Sequence, residues 1–356
     1  MNVDEGHLRK SIAGVLLGTA VGDALGLPME NFSSERIKRR WPGPLRMRFF
    51  FGRGMISDDT EHTLMVAQAL LSHPADSATF QRALAWKLRW WFLGLPAGVG
   101  LATARACLKL WLGFSPERAG VKSGGAGPAM RSAILGACFA DDPTKRREFV
   151  SACSRLTHQS WQAETAALAV AEAVALTVSS AGNPEIEKVL SMLRSLSPEA
   201  EWQARISDLQ SSLAAKDSVR DFASKLGLQR GVTGYSLHVV PVALYAWLRH
   251  PDDFRAALTG AIECGGDTDT VGAICGALSG VANGINSMPE EWTNRLWDWP
   301  RSRVLIERVG NRLVEQRNSA VPLGPVRYFW PAIIPRNLFF LAIVLAHGFR
   351  RVAPPY

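Results

Sequence analysis

The chain has 356 residues, of which 47% are hydrophobic, so it is long enough to bury one large core or two smaller ones. No residue type dominates the composition, which excludes collagen, a coiled coil and a disordered chain. The net charge of +8 is concentrated in residues 301–356, where nine arginines against two glutamates give +7, so a nucleic-acid-binding role for the whole protein loses its support.

The five cysteines are scattered and form no Cys-x-x-Cys pair, a pattern typical of thiols in a reducing compartment, and they predict a cytoplasmic protein. Arg9 and Lys10 precede an apolar run at 12–21, as in a signal peptide, but Asp23 follows that run and acids precede it. The apolar segment 338–346 has half the length of about 18 residues needed to cross a bilayer, so no transmembrane helix is predicted.

Apolar residues recur at spacings of three and four along the chain, which predicts amphipathic helices. The predicted helices span residues 60–71, 78–93, 101–112, 163–178, 185–196, 239–248 and 271–284. Strand-like alternation is almost absent, so an all-α fold is expected, with residues 1–300 as one multi-helix domain. Residues 301–356 are predicted to form a basic, Pro- and Arg-rich extension that ends in a short apolar helix.

A first acidic motif, Ser57-Asp58-Asp59-Thr60-Glu61, opens the predicted helix at 60–71. The simplest interpretation is a helix cap, because Asp58 and Glu61 have the spacing of a capping box and acids favour the first helical turn. A second acid and two hydroxyls in the same stretch exceed what a cap requires. This excess indicates a further role for the motif.

A second acidic motif, Gly265-Gly266-Asp267-Thr268-Asp269-Thr270, leads into the helix predicted at 271–284. That helix is rich in glycine, and each interior glycine costs about 0.5–1 kcal/mol relative to alanine. A helix of such low propensity survives where close packing needs small residues, so we expect it to be central. Two carboxylates at the start of a buried helix are costly unless they are protonated or bind a cation.

Together the two motifs supply four carboxylates and several hydroxyls, which are the ligands that Mg²⁺ prefers. Two such ions, roughly 3.5–4 Å apart, could activate a water and polarise a sugar hydroxyl. Neither motif alone predicts a metal site. Only their combination predicts a binuclear metal site.

The combination resembles the ADP-ribosylglycohydrolase family, which includes the glycohydrolase that reactivates dinitrogenase reductase. The resemblance extends over most of residues 10–290 and includes a third motif, Gly18-Thr-Ala-Val-Gly-Asp-Ala-Leu-Gly-Leu-Pro-Met-Glu30. It implies an all-α fold with two Mg²⁺ ions, or Mn²⁺ in their place. The metal ligands that it implies are Ser57, Asp58, Asp59, Asp267, Asp269 and Thr270.

The resemblance also implies a mobile loop that closes over the metal site, with Glu30 in it, and a set of substrate contacts. Those contacts are Gly98, Gly100, Ser123, Gly124, Gly125, Gly127, Met130, His158 and Tyr235. Successive N–H groups of the glycine-rich segment 123–131 could hold a diphosphate, although Ala126 stands where the family usually has asparagine. For His158 a structural role is as plausible as substrate contact, and for Tyr235 a core position is favoured over stacking on adenine.

What the resemblance implies for function is Mg²⁺-dependent hydrolysis of the glycosidic bond between ADP-ribose and an acceptor, above all a mono-ADP-ribosylated protein side chain. Glu30, Asp59 and Asp269 are the implied catalytic residues, with Asp59 or Asp269 relaying the proton and Glu30 gating entry. The alternatives are a non-catalytic ADP-ribose-binding protein, or a hydrolase of ADP-ribosylated nucleic acid or of a small ADP-ribose derivative. For the C-terminal segment, packing on the body or on a second subunit is preferred over peripheral membrane contact.

Overall fold

The computed structural model describes residues 4–352, and side chains as far as residue 349. About 68% of the chain is helical, which confirms the all-α prediction. The α-helices of the described part are α1 Glu5–Gly26, α2 Ser34–Arg40, α3 Asp58–Ser72, α4 Ser77–Leu93, α5 Leu101–Trp111, α6 Pro116–Ala119, α7 Gly127–Met130, α8 Ala133–Cys138, α9 Pro143–Arg155, α10 Trp161–Ser179, α11 Ile186–Ser195, α12 Ala200–Ala215, α13 Val219–Lys225, α14 Ser236–Arg249, α15 Phe254–Ile262, α16 Thr268–Asn283, α17 Glu290–Thr293, α18 Arg303–Arg317 and α19 Ile333–Val352.

The remaining regular elements are short. Three 3₁₀ helices span Leu27–Met29, Ile285–Ser287 and Trp330–Ala332. Strands β1 Phe32–Ser33 and β2 Gly265–Gly266 pair antiparallel, with Phe32 opposite Gly266. This pairing fixes the loop that follows α1 beside the start of α16.

Every helix predicted from periodicity has a counterpart, but α1 was not predicted by its pattern. From Ser11 to Gly26 almost every residue of α1 is buried, so the helix is apolar all round and shows no amphipathic period. By length and composition, Glu5–Met29 and Trp330–Phe349 are both apolar enough to cross a membrane. The first is 94% buried inside the protein, whereas the second is only 33% buried.

Helices α1 and α16 pack against each other at their glycines, which confirms that the glycine-rich helix is central. Gly14, Gly18 and Gly22 face Gly280, Gly276 and Gly272 in antiparallel order. A Cβ atom on Gly18 would lie 2.1 Å from the carbonyl oxygen of Gly276, and one on Gly22 would lie 1.9 Å from that of Gly272. The antiparallel order brings the end of α1, with Asp23, to the start of α16, with Asp269.

The segment after residue 300 lies against the rest of the protein. Helix α18 packs on α1 and α3, and α19 buries Arg336 and Asn337 in the protein. Phe340 and Ile343 of α19 pack with Leu27, Phe49 and Met55 in a small second core. The domain boundary placed at residue 300 stays a prediction.

Candidate active site

The first acidic motif forms the start of α3, and its cap is Ser57 rather than Asp58. The Ser57 Oγ accepts a hydrogen bond from the Asp59 N–H at 3.4 Å and donates one to Asp59 Oδ2 at 3.2 Å. The capping-box interpretation is therefore wrong, because the Glu61 side chain points into the protein and not back to the cap. Asp58 is thus not needed as a cap.

Asp23, whose role the sequence did not reveal, holds this turn in place. Its buried carboxylate accepts hydrogen bonds from the Ser57 N–H at 2.9 Å, the Thr60 N–H at 3.2 Å and the Thr60 hydroxyl at 2.5 Å. Burial raises the pKa of Asp23 to about 6, although these hydrogen bonds oppose the rise. An acid in an apolar helix was the available signal, because such a residue is rarely buried without partners.

The second acidic motif forms the start of α16 and meets the first. The Thr270 hydroxyl donates to Asp59 Oδ2 at 3.4 Å, joining residues that are 211 positions apart in the sequence. Asp269 Oδ1 accepts from the Thr270 N–H at 3.0 Å. Asp267 is half-buried at the N-cap of α16, and its N–H donates to the carbonyl of Val232 at 2.8 Å.

Glu30, Asp58, Asp59, Asp267 and Asp269 form the acidic cluster, in which neighbouring charges raise the pKa of several carboxylates. Burial raises the pKa of Asp59 well above its usual range, and the charges of Asp58, Asp23 and Asp267 raise it further. Burial also raises the pKa of Asp269 strongly, with added contributions from Glu30, Asp267 and Asp59. Since mutual repulsion falls with distance, Glu30 lies with the other acids of this acidic cluster.

The pKa of Asp58 is raised well above its usual range by burial and then by Asp23, Glu61 and Glu30, and that of Asp267 is raised by burial. Five predicted residues, Glu30, Asp58, Asp59, Asp267 and Asp269, therefore share one electronegative region. The partly buried Glu30 accepts a hydrogen bond from the Asn31 side chain at 3.0 Å.

The donor set of the acidic cluster fits a hard divalent cation. Asp59 is 1% exposed, and its Oδ1 has no hydrogen-bond partner among the described residues. The hydroxyls of Ser57 and Thr270 are hydrogen-bonded to its other oxygen. Within residues 4–352, however, no three His, Cys, Asp or Glu side chains are grouped closely enough to hold a metal ion by themselves. Metal binding stays a prediction, and it needs the two hydroxyls as well as the carboxylates.

The predicted glycine-rich segment lies between His158 and Tyr235. A Cβ atom on Gly125 would be 3.0 Å from His158 Nε2, and one on Gly124 would be 2.7 Å from Tyr235 Cε2. Gly127 also contacts the His158 ring. Close packing on two rings therefore explains these glycines without a ligand.

Two N–H groups of this segment already have partners within the protein. The Gly125 N–H donates to the Ser123 hydroxyl at 3.3 Å, and the Ala126 N–H donates to the carbonyl of Gly234 at 3.0 Å. A Cβ atom on Gly234 would be 3.4 Å from Asp267 Oδ2, so the segment borders the acidic cluster. The buried Met130 connects it to α3, because its carbonyl accepts from the Thr63 hydroxyl at 3.2 Å.

His158 is buried beneath the glycine-rich segment in a chain of polar side chains. Its Nδ1 lies 2.8 Å from the Thr157 hydroxyl, which accepts a hydrogen bond from Arg131 at 2.7 Å. Arg131 is fully buried and also lies 3.0 Å from Nδ1 of His62. Burial, helped by the charge of Arg131, lowers the pKa of His158 to about 3, so the ring is neutral at neutral pH.

The phenol of Tyr235 hydrogen-bonds to both carboxylate oxygens of Glu201, at 3.0 and 3.1 Å. The ring is half-buried, so the core position favoured from the sequence holds only in part.

Gly98 and Gly100 are exposed in the loop between α4 and α5. Between α4 and Gly98, Ala97 packs on the small core that contains Leu27 and Met55, which places this loop near the start of both the Glu30 loop and the first motif.

A buried ion-pair network behind the first motif was missed from the sequence. Glu61 Oε1 lies 2.5 Å from Arg301 and 3.1 Å from Arg336, and its Oε2 accepts from the indole of Trp91 at 2.5 Å. Arg336 also pairs with Asp298 at 2.5 Å. Arginines 35 residues apart in a basic tail carry no signal of a shared partner, so only the fold reveals this network.

A family model, two related proteins and a solved structure all relate this chain to the ADP-ribosylglycohydrolases. A family model described as ADP-ribosylglycohydrolase matches residues 4–321. The ADP-ribosyl-[dinitrogen reductase] glycohydrolase of Rhodospirillum rubrum is 25% identical, over 80% of this chain and 89% of that protein. The ADP-ribosylarginine hydrolase Tri1 of Pseudomonas putida is 28% identical, over 88% of this chain and 81% of that protein. A solved structure described as an ADP-ribosylglycohydrolase-related protein complex is 25% identical, with a TM-score of 0.62 over 88% of this chain and 99% of its own.

Proposed function

Because this chain belongs to the ADP-ribosylglycohydrolase family and is a glycosidic-bond hydrolase, we propose that it releases ADP-ribose from a modified protein side chain in a Mg²⁺-dependent reaction. The observation that carries the proposal is the hydrogen bond between Thr270 and Asp59, which joins the two acidic motifs in one cluster. The reaction class follows from the family, whereas the substrate and the metal are proposed here.

The proposed metal ligands are Ser57, Asp58, Asp59, Asp267, Asp269 and Thr270, and Mn²⁺ is an alternative to Mg²⁺. Two observations support this set. The pKa values of Asp59 and Asp269 are raised by burial and by neighbouring carboxylates, and Asp59 Oδ1 has no hydrogen-bond partner among the described residues. When bound, a divalent cation polarises sugar hydroxyls and lowers the pKa of water.

The protein's own groups then carry the proton and stabilise charge. As the bond between the anomeric carbon and the acceptor breaks, positive charge develops on the ribose, and the surrounding carboxylates stabilise it. Asp59 or Asp269 accepts a proton from the water whose oxygen bonds to the anomeric carbon and passes that proton to the acceptor, which leaves with the bonding electrons.

Substrate binding is proposed for the residues around the acidic cluster. Glu30 gates entry from its loop, and the glycine-rich segment receives the diphosphate through those N–H groups that the protein does not use itself. Gly98 and Gly100 contribute exposed backbone, and Tyr235 offers a half-buried ring beside the segment. His158, neutral and buried, supports this segment from below.

A protein side chain is the proposed acceptor because the Rhodospirillum rubrum relative is named for an ADP-ribosylated protein and the Pseudomonas putida relative for ADP-ribosylarginine. A cytoplasmic location is proposed as well, and the five free cysteines support it.

The proposal is tested with Asp59→Asn, assayed for ADP-ribose release from Arg-linked, Ser-linked and nucleic-acid-linked substrates. We expect the wild type to lose activity with a chelator and regain it with Mg²⁺, and the variant to lose about 10²–10⁴-fold in kcat. Glu187→Gln, an exposed carboxylate on α11, is the matched control.

Undiminished turnover by Asp59→Asn would contradict the assignment of this carboxylate. A wild type that binds ADP-ribose in calorimetry, yet releases none from any substrate, would instead identify a non-catalytic binder. Activity confined to nucleic-acid-linked substrate would replace the proposed acceptor.

A further inference from the structure

The C-terminal helix α19 presents an apolar stripe to solvent. Its members are all exposed and follow one another at spacings of three and four residues: Ile334, Leu338, Leu341, Leu345 and Phe349. Between residues 334 and 349 the ionisable side chains are those of Arg336, which is buried, and His347. A surface helix normally turns a polar face outward, so an apolar outer face indicates a covered surface.

The apolar stripe continues onto the turn at residues 50–53. Phe51 is 92% exposed, and Phe50 packs against Phe339 of α19 at 5.1 Å between ring centroids. Phe50 also stacks on Trp297, which is 41% exposed and lies under the guanidinium of Arg53. Aromatic side chains next to arginine are typical of the boundary between lipid and water.

A basic groove borders the same stripe. It has a volume of about 1030 Å³ and is lined by Ala342 and Ala346 of α19 and by five arginines, Arg40, Arg46, Arg48, Arg255 and Arg295. Its one acidic lining residue in the described chain, Glu291, already pairs with Arg255. Arg48 Nε is buried and has no hydrogen-bond partner among the described residues, so the groove is suited to anions.

We propose that this face, formed by the apolar stripe, Phe51, Trp297 and the basic groove, docks onto an anionic lipid bilayer. The apolar side chains enter the acyl boundary, and the arginines contact headgroup phosphates. This inference is independent of the catalytic proposal, because it uses none of the residues of the acidic cluster.

The way α19 is held favours an interfacial position over a membrane-spanning one. Arg336 and Asn337 are buried and bonded to the protein, so the part of the described helix that could insert into lipid runs from residue 338 to residue 352. At 1.5 Å per residue they extend about 22 Å, which is shorter than the about 30 Å hydrocarbon core. The stripe therefore lies along the surface of the bilayer.

Charge favours lipid over a second copy of this chain. A twofold interface uses the same surface patch on both copies, so a second copy would bring no unpaired acid among the described residues of this groove to neutralise the arginines. An anionic bilayer neutralises the same arginines. The arginine cluster and the apolar stripe thus point to one partner.

The test is vesicle flotation of the full chain with phosphatidylcholine alone and with phosphatidylglycerol added. We expect binding only to the anionic vesicles, weakening as salt increases. Leu341→Glu with Leu345→Glu should lower binding more than tenfold, and Arg46→Gln with Arg48→Gln should lower it about fivefold for each arginine. Both leucines are exposed, and unchanged thermal unfolding will verify that the variant folds.

Ile186→Glu, an exposed apolar residue on α11, is the matched control and should bind as the wild type does. Equal binding by the leucine variant, or binding to neutral vesicles that ignores the arginines, would overturn the proposal. So would a dimer in sedimentation velocity that the leucine variant dissociates, with no vesicle binding, because the face would then join two copies.

Discussion

His158 is a buried histidine, and its burial disfavours protonation of the imidazole ring. The pKa of His158 in the folded protein is about 3, and its ordinary value is 6.5. Protonation is therefore easier in the unfolded chain, so the stability that this residue contributes is fully present above pH 6.5 and is lost as the pH falls from 6.5 toward 3. The ring contributes packing under Gly125 and Gly127 rather than a titrating group near neutral pH.

We predict that His158→Gln makes folding less sensitive to acid. Between pH 7.5 and pH 5, the wild type should lose about 2 kcal/mol more stability than the variant, because the unfolded histidine binds a proton and the buried one does not. Urea unfolding of both proteins at the two pH values measures the difference. His73→Gln, at an exposed position, should behave as the wild type does; an equal acid loss in all three proteins would contradict the prediction.

The buried carboxylate of Glu61 balances the positive charges of two arginines from the C-terminal segment. Arg301, Arg336 and Glu61 are each at least nine-tenths buried, so each guanidinium depends on the carboxylate for compensation. The network lies directly behind Asp58 and Asp59, in the first turns of α3. Its charge balance therefore bears on the stability of the motif itself.

Glu61→Gln is expected to destabilise the fold by about 3–5 kcal/mol. It removes one of the two negative charges, those of Glu61 and Asp298, that balance the two buried guanidinium groups. The free energy of unfolding in urea is the measurement. The exposed Glu187→Gln should change that value by less than about 0.5 kcal/mol. A loss no larger than in this control would show that solvent reaches the arginines.

At the scale of elements, the packing of α1 on α16 decides where the carboxylates meet. Glycine at every fourth position lets the two backbones touch, and the antiparallel register sets Gly26 opposite Thr268. Asp23 and Asp269 then face one region from different helices. A shift of either helix by one turn, about 5.4 Å, would separate them.

Gly18→Ala should destabilise the protein by at least about 1–3 kcal/mol, the usual cost of overpacking, because the new methyl group would meet the rigid backbone of Gly276. Thermal unfolding measures the loss. Gly310→Ala on α18 is the matched control, since its methyl group would lie 3.4 Å from a flexible leucine end. Equal stability of the two variants would mean that the helices separate without cost.

At the scale of the whole molecule, the segment after residue 300 completes the fold on one side and exposes an apolar surface on the other. Arg336 reaches the network at Glu61 and Asp298, while Phe340 and Ile343 cover Leu27 and its neighbours. The packing preferred from the sequence is therefore present on one face of α19, and membrane contact stays a proposal. The inner face of α19 packs, and its outer face remains available.

Deletion of residues 330–356 should leave a chain that aggregates or unfolds at a lower temperature, because it uncovers Phe49 and Met55 and removes a partner of Glu61. Size-exclusion chromatography and thermal unfolding measure the outcome. The variant Leu341→Glu with Leu345→Glu, which changes only exposed side chains of α19, is the control and should unfold as the full chain does. A monomeric, equally stable 1–329 chain would contradict the structural role of α19.

The all-α fold, the helices with an amphipathic period and the family were all predictable from the sequence, and all three are confirmed. These properties are local, because helical period and short motifs are legible within a few turns of chain. The metal ligands, the substrate contacts and the cofactor stay predictions. Periodicity also failed at α1, since a helix buried on all sides has no polar face to detect.

Which distant side chains meet became clear from the folded chain and not from the sequence. In the fold, Thr270 contacts Asp59, and Asp23 holds the first motif. Arg301 and Arg336, which the sequence places in a basic tail, both pair with the buried Glu61. Such pairings depend on the approach of segments that are between 34 and 275 residues apart in the sequence. No local pattern encodes that approach, because it results from the summed packing of the whole chain.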